Sequence, residues 1–218
     1  MNSSQDAASV SQKHIFTPHT QRVMSCVITN DNAFCISVAY DSLAMVFDLK
    51  KGTLVQTFRG HNKPIRAVCI APGSRACTGG KDFFAKVWEY ETGKEIFSLA
   101  HRNIIVSMAA SSSNYLVTSC IDSQTRIFSL TDGSLLRTFQ GHVKWTNKIV
   151  LQDNLIYTAS DDATARVFDM SHGDLYRIAV ICEAADPRLG RRSPLRSLPS
   201  DMYKIVSKLL VHRIASNF

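Results

Sequence analysis

An aromatic residue recurs at Phe47, Trp88, Phe128 and Phe168, at intervals of 41, 40 and 40 residues. Each stands ten positions after a Ser or Thr, six after an Asp and five before a Gly. A His precedes each by 26 to 28 positions, at His19, His61, His101 and His142. A fixed period near forty residues restricts the chain to repeat architectures, in which each unit buries its faces against its neighbours.

The second repeat shows what one unit contains. Ile65 to Ile70 reads as a strand, and Pro72-Gly73-Ser74 as a turn. Ala76 to Gly79, Phe84 to Trp88 and Lys94 to Leu99 read as three more strands, separated by Lys81-Asp82 and Thr92-Gly93. Aromatic and β-branched residues suit the pleated surface of such strands. The turn glycine recurs as Gly52, Gly93, Gly133 and Gly173, as expected of a turn that requires positive φ. Short strands with regular turns would also suit a β-sandwich. A sandwich, however, has no reason to repeat one polar constellation every forty residues.

On these residues the chain resembles the WD40 family of β-propellers, from about residue 19 to 182. The resemblance implies an all-β fold of four four-stranded antiparallel blades, at about 19–60, 61–100, 101–141 and 142–182. It also implies a hydrogen-bonded tetrad in each blade, joining the His, the second-strand hydroxyl, the turn Asp and the third-strand aromatic. The four sets are His19, Ser37, Asp41, Phe47; His61, Thr78, Asp82, Trp88; His101, Thr118, Asp122, Phe128; and His142, Thr158, Asp162, Phe168. Only the second is complete, because Phe cannot replace an indole N–H, and each of the others is expected to be weaker by about 1 kcal/mol. A Gly precedes the His only at Gly60 and Gly141.

WD40 rings usually close with seven blades, and four repeats are visible here. An open or incomplete ring is therefore expected, with the hypothesis that the chain is a truncated form of a longer propeller. Lys13 to Thr17 resembles the outer strand that precedes a repeat's His. Residues 1–12 are expected to be disordered, 13–182 to form the repeat region, and 183–218 to form a basic tail. That tail holds seven Lys or Arg against three Asp or Glu, four of the chain's net +7 charge. Met202, Ile205, Val206, Leu209 and Leu210 predict a helix over 200–215 after the cap at Ser200-Asp201. Arg191-Arg192-Ser193-Pro194 resembles a phosphorylation site.

The chemistry of catalysis has no other foothold. Repeated His–Ser/Thr–Asp groups contain the ingredients of a nucleophilic triad, but an enzyme needs one site and the group occurs once per structural unit. Gly79-Gly80-Lys81 lacks the spacing and the following hydroxyl of a phosphate loop. Six cysteines form no CxxC pair, and five lie in apolar segments, so they are read as structural thiols of a reducing compartment. No cofactor or metal is expected, nor a bilayer-spanning segment. A cytoplasmic location is expected, with the nucleus as an alternative.

Function is therefore expected at a surface. The resemblance implies partner binding on the rim formed by the first-strand starts and the positions before each turn Asp. Those residues are Met24, Arg66, Val106 and Asn147, then Tyr40, Lys81, Ile121 and Asp161, with Trp145 in the same loop. A non-catalytic scaffold or adaptor for proteins or peptides follows. One alternative is the substrate receptor of a ubiquitin ligase, but the Arg that such receptors often carry two residues after the Trp-Asp pair is replaced by Lys50, Glu91, Thr131 and Ser171. The other is an RNA-binding propeller, for which Arg66, Lys81 and Lys144 make too short a basic stripe.

Overall fold

Among the described residues, sixteen short strands form four separate four-stranded antiparallel sheets, each strand paired with the next in sequence within its sheet. The first sheet comprises β1 (Val23–Ile28), β2 (Phe34–Ala39), β3 (Ala44–Asp48) and β4 (Thr53–Phe58). The second comprises β5 (Ile65–Ala71), β6 (Arg75–Gly80), β7 (Phe84–Glu89) and β8 (Glu95–Ala100). The third comprises β9 (Ile105–Ala110), β10 (Tyr115–Cys120), β11 (Thr125–Ser129) and β12 (Leu135–Phe139). The fourth comprises β13 (Thr146–Gln152), β14 (Leu155–Ser160), β15 (Thr164–Asp169) and β16 (Ile178–Glu183). This computed structural model describes residues 13–152 and 154–170, and the backbone of 178–183. Residues 1–12, Gly173, the Arg191–Pro194 segment and the helix expected over 200–215 lie outside the described residues.

Strand periodicity explains how the sheets stack. Successive side chains point to opposite faces, so neighbours in β7 serve different interfaces. Trp88 packs toward the first sheet, among Val46, Phe58 and Ile65, while Val87 packs toward the third, among Ile105, Met108 and Leu116. A third layer, with Val117, Ile127, Ile149, Ile156 and Phe168, joins the third and fourth sheets. Fully burying one such aliphatic or aromatic side chain contributes about 1.5–3 kcal/mol, so the interfaces supply most of the cohesion. Each first strand packs on the next, β1 on β5, β5 on β9 and β9 on β13. The result is an unclosed propeller arc with the first strands lining its axis.

Two ends of each sheet are built differently. At one rim the third strand turns into the fourth through Gly52, Gly93 and Gly133, all with φ between 72° and 76°. There Arg75 donates to the carbonyls of Pro72 and Leu130 and to Asn114 Oδ1, fastening the second sheet to the third. At the other rim, the residue after the turn Asp is left-handed in every sheet: Ser42, Phe83, Ser123 and Ala163. None of these is glycine, so this turn holds its shape against a side-chain preference.

Two expectations are corrected. Lys13 to Thr17 forms no strand, because no strand lies beside it among the described residues to supply a ladder. Phe16 instead stacks on Phe47, ring centroids 4.3 Å apart. Cys26 is exposed rather than buried, since β1 belongs to the first sheet of the arc. Cys69, Cys77 and Cys120 are buried as expected of structural thiols.

Candidate functional site

The second sheet holds the whole tetrad as one directed chain. The Trp88 indole N–H donates to Thr78 Oγ1 at 3.2 Å, and the Thr78 hydroxyl lies 2.9 Å from His61 Nε2. His61 Nδ1 lies 2.6 Å from Asp82 Oδ2. A carboxylate only accepts, so Nδ1 carries the imidazole proton and Nε2 accepts from Thr78. Burial pushes the Asp82 carboxyl up, but the hydrogen bonds it accepts from His61 and from the Phe84 backbone N–H more than offset it and hold it below the ordinary range.

The first and fourth sheets repeat the arrangement without the indole. His19 bonds Ser37 at 2.7 Å and Asp41 at 2.8 Å; His142 bonds Thr158 and Asp162, both at 2.8 Å. The turn Asp also accepts the backbone N–H two residues on, at Leu43, Phe84, Gln124 and Thr164. That local bond stabilises the left-handed residue between them.

The third sheet departs from this pattern. His101 Nε2 meets Thr118 at 2.7 Å, but Nδ1 donates to the Leu99 carbonyl at 3.0 Å. Asp122 is taken by the Arg126 guanidinium through both of its oxygens. The residue before the His also differs between the third and fourth sheets. A Cβ on Gly141 would lie 2.6 Å from Arg166 Nη1; the equivalent residue here is Ala100, and Arg126 turns to Asp122 instead. Burial lowers His101 to about 4.

Connectivity of hydroxyl, imidazole and carboxylate is that of a catalytic triad, but access is not. Thr78, Thr118 and Thr158 are each 0% exposed. A nucleophile sealed under the sheet can hold a loop and cannot meet a substrate. Among the described residues no cluster of His, Cys, Asp or Glu is arranged to hold a metal, and no helix is long and apolar enough to cross a membrane.

The rim residues expected from the sequence fall into three groups. Met24, Arg66, Val106 and Asn147 line one axial cavity of about 340 Å³. Each sits where the pairing of its first strand slips: between Val23 and Ser25, Ile65 and Ala67, Ile105 and Ser107, Thr146 and Lys148. A bulge at a strand end re-aims its side chain, and here four bulges aim four side chains at one space. Ile121, Trp145 and Asp161 line a second hollow of about 240 Å³ between the third and fourth sheets. Asn147 Nδ2 donates to Asp161 Oδ1 and so joins the two. Tyr40 and Lys81 form the third group, with Lys81 Nζ 4.8 Å from the ring centroid. In all four sheets the residue before the turn Asp donates its N–H to the loop entering the first strand, at Arg22, Pro64, Ile104 and Trp145. The rim is therefore pinned by backbone.

Sequence reasoning missed Lys148 in the axial cavity and Val143 in the second hollow, and weighed Lys144, which also lines that hollow, only as part of a basic stripe. Lys148 follows the bulge at Asn147, and only the pairing register reveals that displacement.

Comparison with known proteins agrees with this geometry. The family model described as "WD domain, G-beta repeat" matches residues 10–48, 52–89 and 133–169. The stretch it passes over contains most of the third sheet, where the His–Asp bond is missing. The chain is similar to serine-threonine kinase receptor-associated protein of Gallus gallus, 30% identical over 160 residues, covering 70% of this chain and 46% of that one. It is also similar to small ribosomal subunit protein RACK1 of Drosophila melanogaster, 33% identical over 101 residues, covering 44% and 31%. Among solved structures, the computationally designed Ika4 protein superposes with TM-score 0.68 at 25% identity, covering 74% of this chain and 99% of that one. U3-55K superposes with TM-score 0.67 at 19% identity, covering 70% and 50%, which speaks for the fold alone. The chain spans about half the length of the first curated relatives it matches.

Proposed function

The chain belongs to the WD40-repeat family, and from that premise we propose that it is a non-catalytic scaffold whose binding surface is the bulged rim. WD40 repeats bind other proteins, so a role in protein interaction rests on family membership. The finer reading, that Arg66, Asn147, Trp145 and their neighbours form the contact surface, rests on the convergence of four bulged side chains on one cavity. Trp145 is 48% exposed and Val143 80% exposed beside the second hollow. An exposed tryptophan beside a concave site is a residue type enriched at interface hot spots. The sealed hydroxyls of the tetrads support the non-catalytic part.

Affinity capture from cell extract, with quantitative mass spectrometry, tests this reading. The unsubstituted chain is compared with Arg66→Ala/Trp145→Ala at the bulged rim and Lys94→Ala/Thr92→Ala at the opposite rim. Proteins retained by the first chain should be lost from the bulged-rim variant and kept by the other. Equal retention by all three chains, or loss only at the opposite rim, would remove the basis for placing the surface here.

A further inference from the structure

The charge of the bulged rim is lopsided in kind as well as number. Its loops and strand starts carry eight Lys or Arg against five Asp. Four of those carboxylates are already held, three by the tetrad histidines and Asp122 by Arg126, and the side chains of Asp41, Asp82 and Asp162 are each 4% exposed. The fifth, Asp161, accepts from Asn147. Arg66, Lys81, Lys144 and Lys148, by contrast, enter no salt bridge among the described residues. The axial cavity contains Arg66 and Lys148 and no carboxylate. At the opposite rim the balance reverses, with seven carboxylates against four cations in its described turns and strand ends.

Two cations aimed into one concave space, without an internal counter-ion, are an anion site awaiting an anion. We propose that the partner of this rim presents an acidic peptide segment, its carboxylates received by Arg66 and Lys148 in the axial cavity and a neighbouring apolar side chain on Trp145. This rests on the reading of the rim as the binding surface and specifies the chemistry of what it binds. Nucleic acid is the competing polyanion, and the aromatics argue against it. Single-strand binding needs open ring faces on which bases stack. Lys81 lies over Tyr40, Lys63 over Phe83 and Lys86 over Phe84, at 4.8, 5.9 and 5.7 Å from the centroids. Cations thus hold one face of each of these three rings, leaving Trp145 as the remaining large exposed aromatic of the rim. A peptide carboxylate needs only the cations.

Fluorescence anisotropy with the 218-residue chain tests the proposal. The probe is a short fluorescein-labelled peptide alternating Glu and Ser around one Leu. The controls are the same peptide with every Glu replaced by Gln, and a single-stranded RNA of similar length and charge. The Glu peptide should bind at least about tenfold more tightly than the Gln peptide, as expected when charge-assisted hydrogen bonds are lost. Arg66→Ala and Lys148→Ala should each weaken it by about fivefold or more, while Lys94→Ala leaves it unchanged. Arg66→Glu/Lys148→Glu should abolish binding of the Glu peptide and acquire binding of the corresponding Lys peptide, an outcome that a misfolded chain cannot produce. Equal binding of the Glu and Gln peptides, indifference to both alanine variants, or tighter binding of the RNA would overturn the proposal. If rim-dependent capture of cellular proteins persists alongside such a result, the surface stands and only its acidic specificity falls.

Discussion

Trp88 is the single repeat aromatic with an indole to donate, and its bond to Thr78 sits in a site that is 0% exposed. Trp88→Phe should therefore cost about 1 kcal/mol, read as a lower unfolding midpoint in denaturant. An unchanged midpoint would show that the ring's stacking on Phe58, 4.6 Å away, is all that matters there. Buried His101 and His142 should make the fold acid-labile. His101 is held near 4 against an ordinary 6.5, so the unfolded chain binds the proton more readily. Stability from this residue is complete above pH 6.5 and is lost as pH falls toward 4. His142 is lowered in the same direction, by burial against the pull of Asp162. The depressed carboxyls of Asp41 and Asp82 add stability that is likewise lost in acid. The thermal midpoint should fall between pH 6.5 and 4, and His101→Gln should flatten that slope. A midpoint independent of pH in this window would contradict the assignment. The residues of each tetrad were legible as fixed spacings, and their bonding came from the resemblance to WD40 blades. The exchange in the third sheet was not, since Arg126 and Arg166 occupy equivalent positions. Their neighbours in the fold differ, since Arg166 lies against Gly141 where a Cβ would meet it at 2.6 Å, and the position equivalent to Gly141 in the third sheet is Ala100.

The strands of the second sheet were readable from β-favouring residues and turn signals, and β5 to β8 fall within a residue or two of the expected runs. The bulges were not readable. Register is decided by the pairing of whole strands, and nothing in Ile65-Arg66-Ala67 marks Arg66 as the displaced residue. The turn between second and third strands offers a direct test. Ala163 holds φ at 67°, a conformation that costs an L-residue about 1–2 kcal/mol. Ala163→Gly should stabilise the chain by roughly 0.5–1 kcal/mol after the entropy of the freer unfolded chain is counted. Destabilisation would mean that the Asp162 turn bonds already remove the strain. At the opposite rim, Arg75 makes three hydrogen bonds that reach from the second sheet to the third. Arg75→Ala should lower stability by about 2 kcal/mol, leaving the Leu130 carbonyl without that donor.

For the molecule as a whole, a stack of sheets protects its middle. The second and third sheets are each packed on two neighbours, whereas the first and fourth stand at the ends of the described arc. Amides of β6, β7 and β10 should thus exchange with solvent more slowly than those of β1 and β13. Uniform protection would contradict a nearest-neighbour stack. The arc also orients its charges, with cations free at the bulged rim and carboxylates in excess at the other. The charge count of the chain alone hid this, because the tetrad aspartates look like any others until their partners are known. The most direct test of the binding surface is hydrogen–deuterium exchange on the chain with and without a protein recovered by affinity capture. Slowed exchange confined to residues 61–66, 81–84, 102–107 and 142–148 is the expected result. Slowed exchange confined to β4, β8 and β12, or to the turns of the opposite rim, would contradict it.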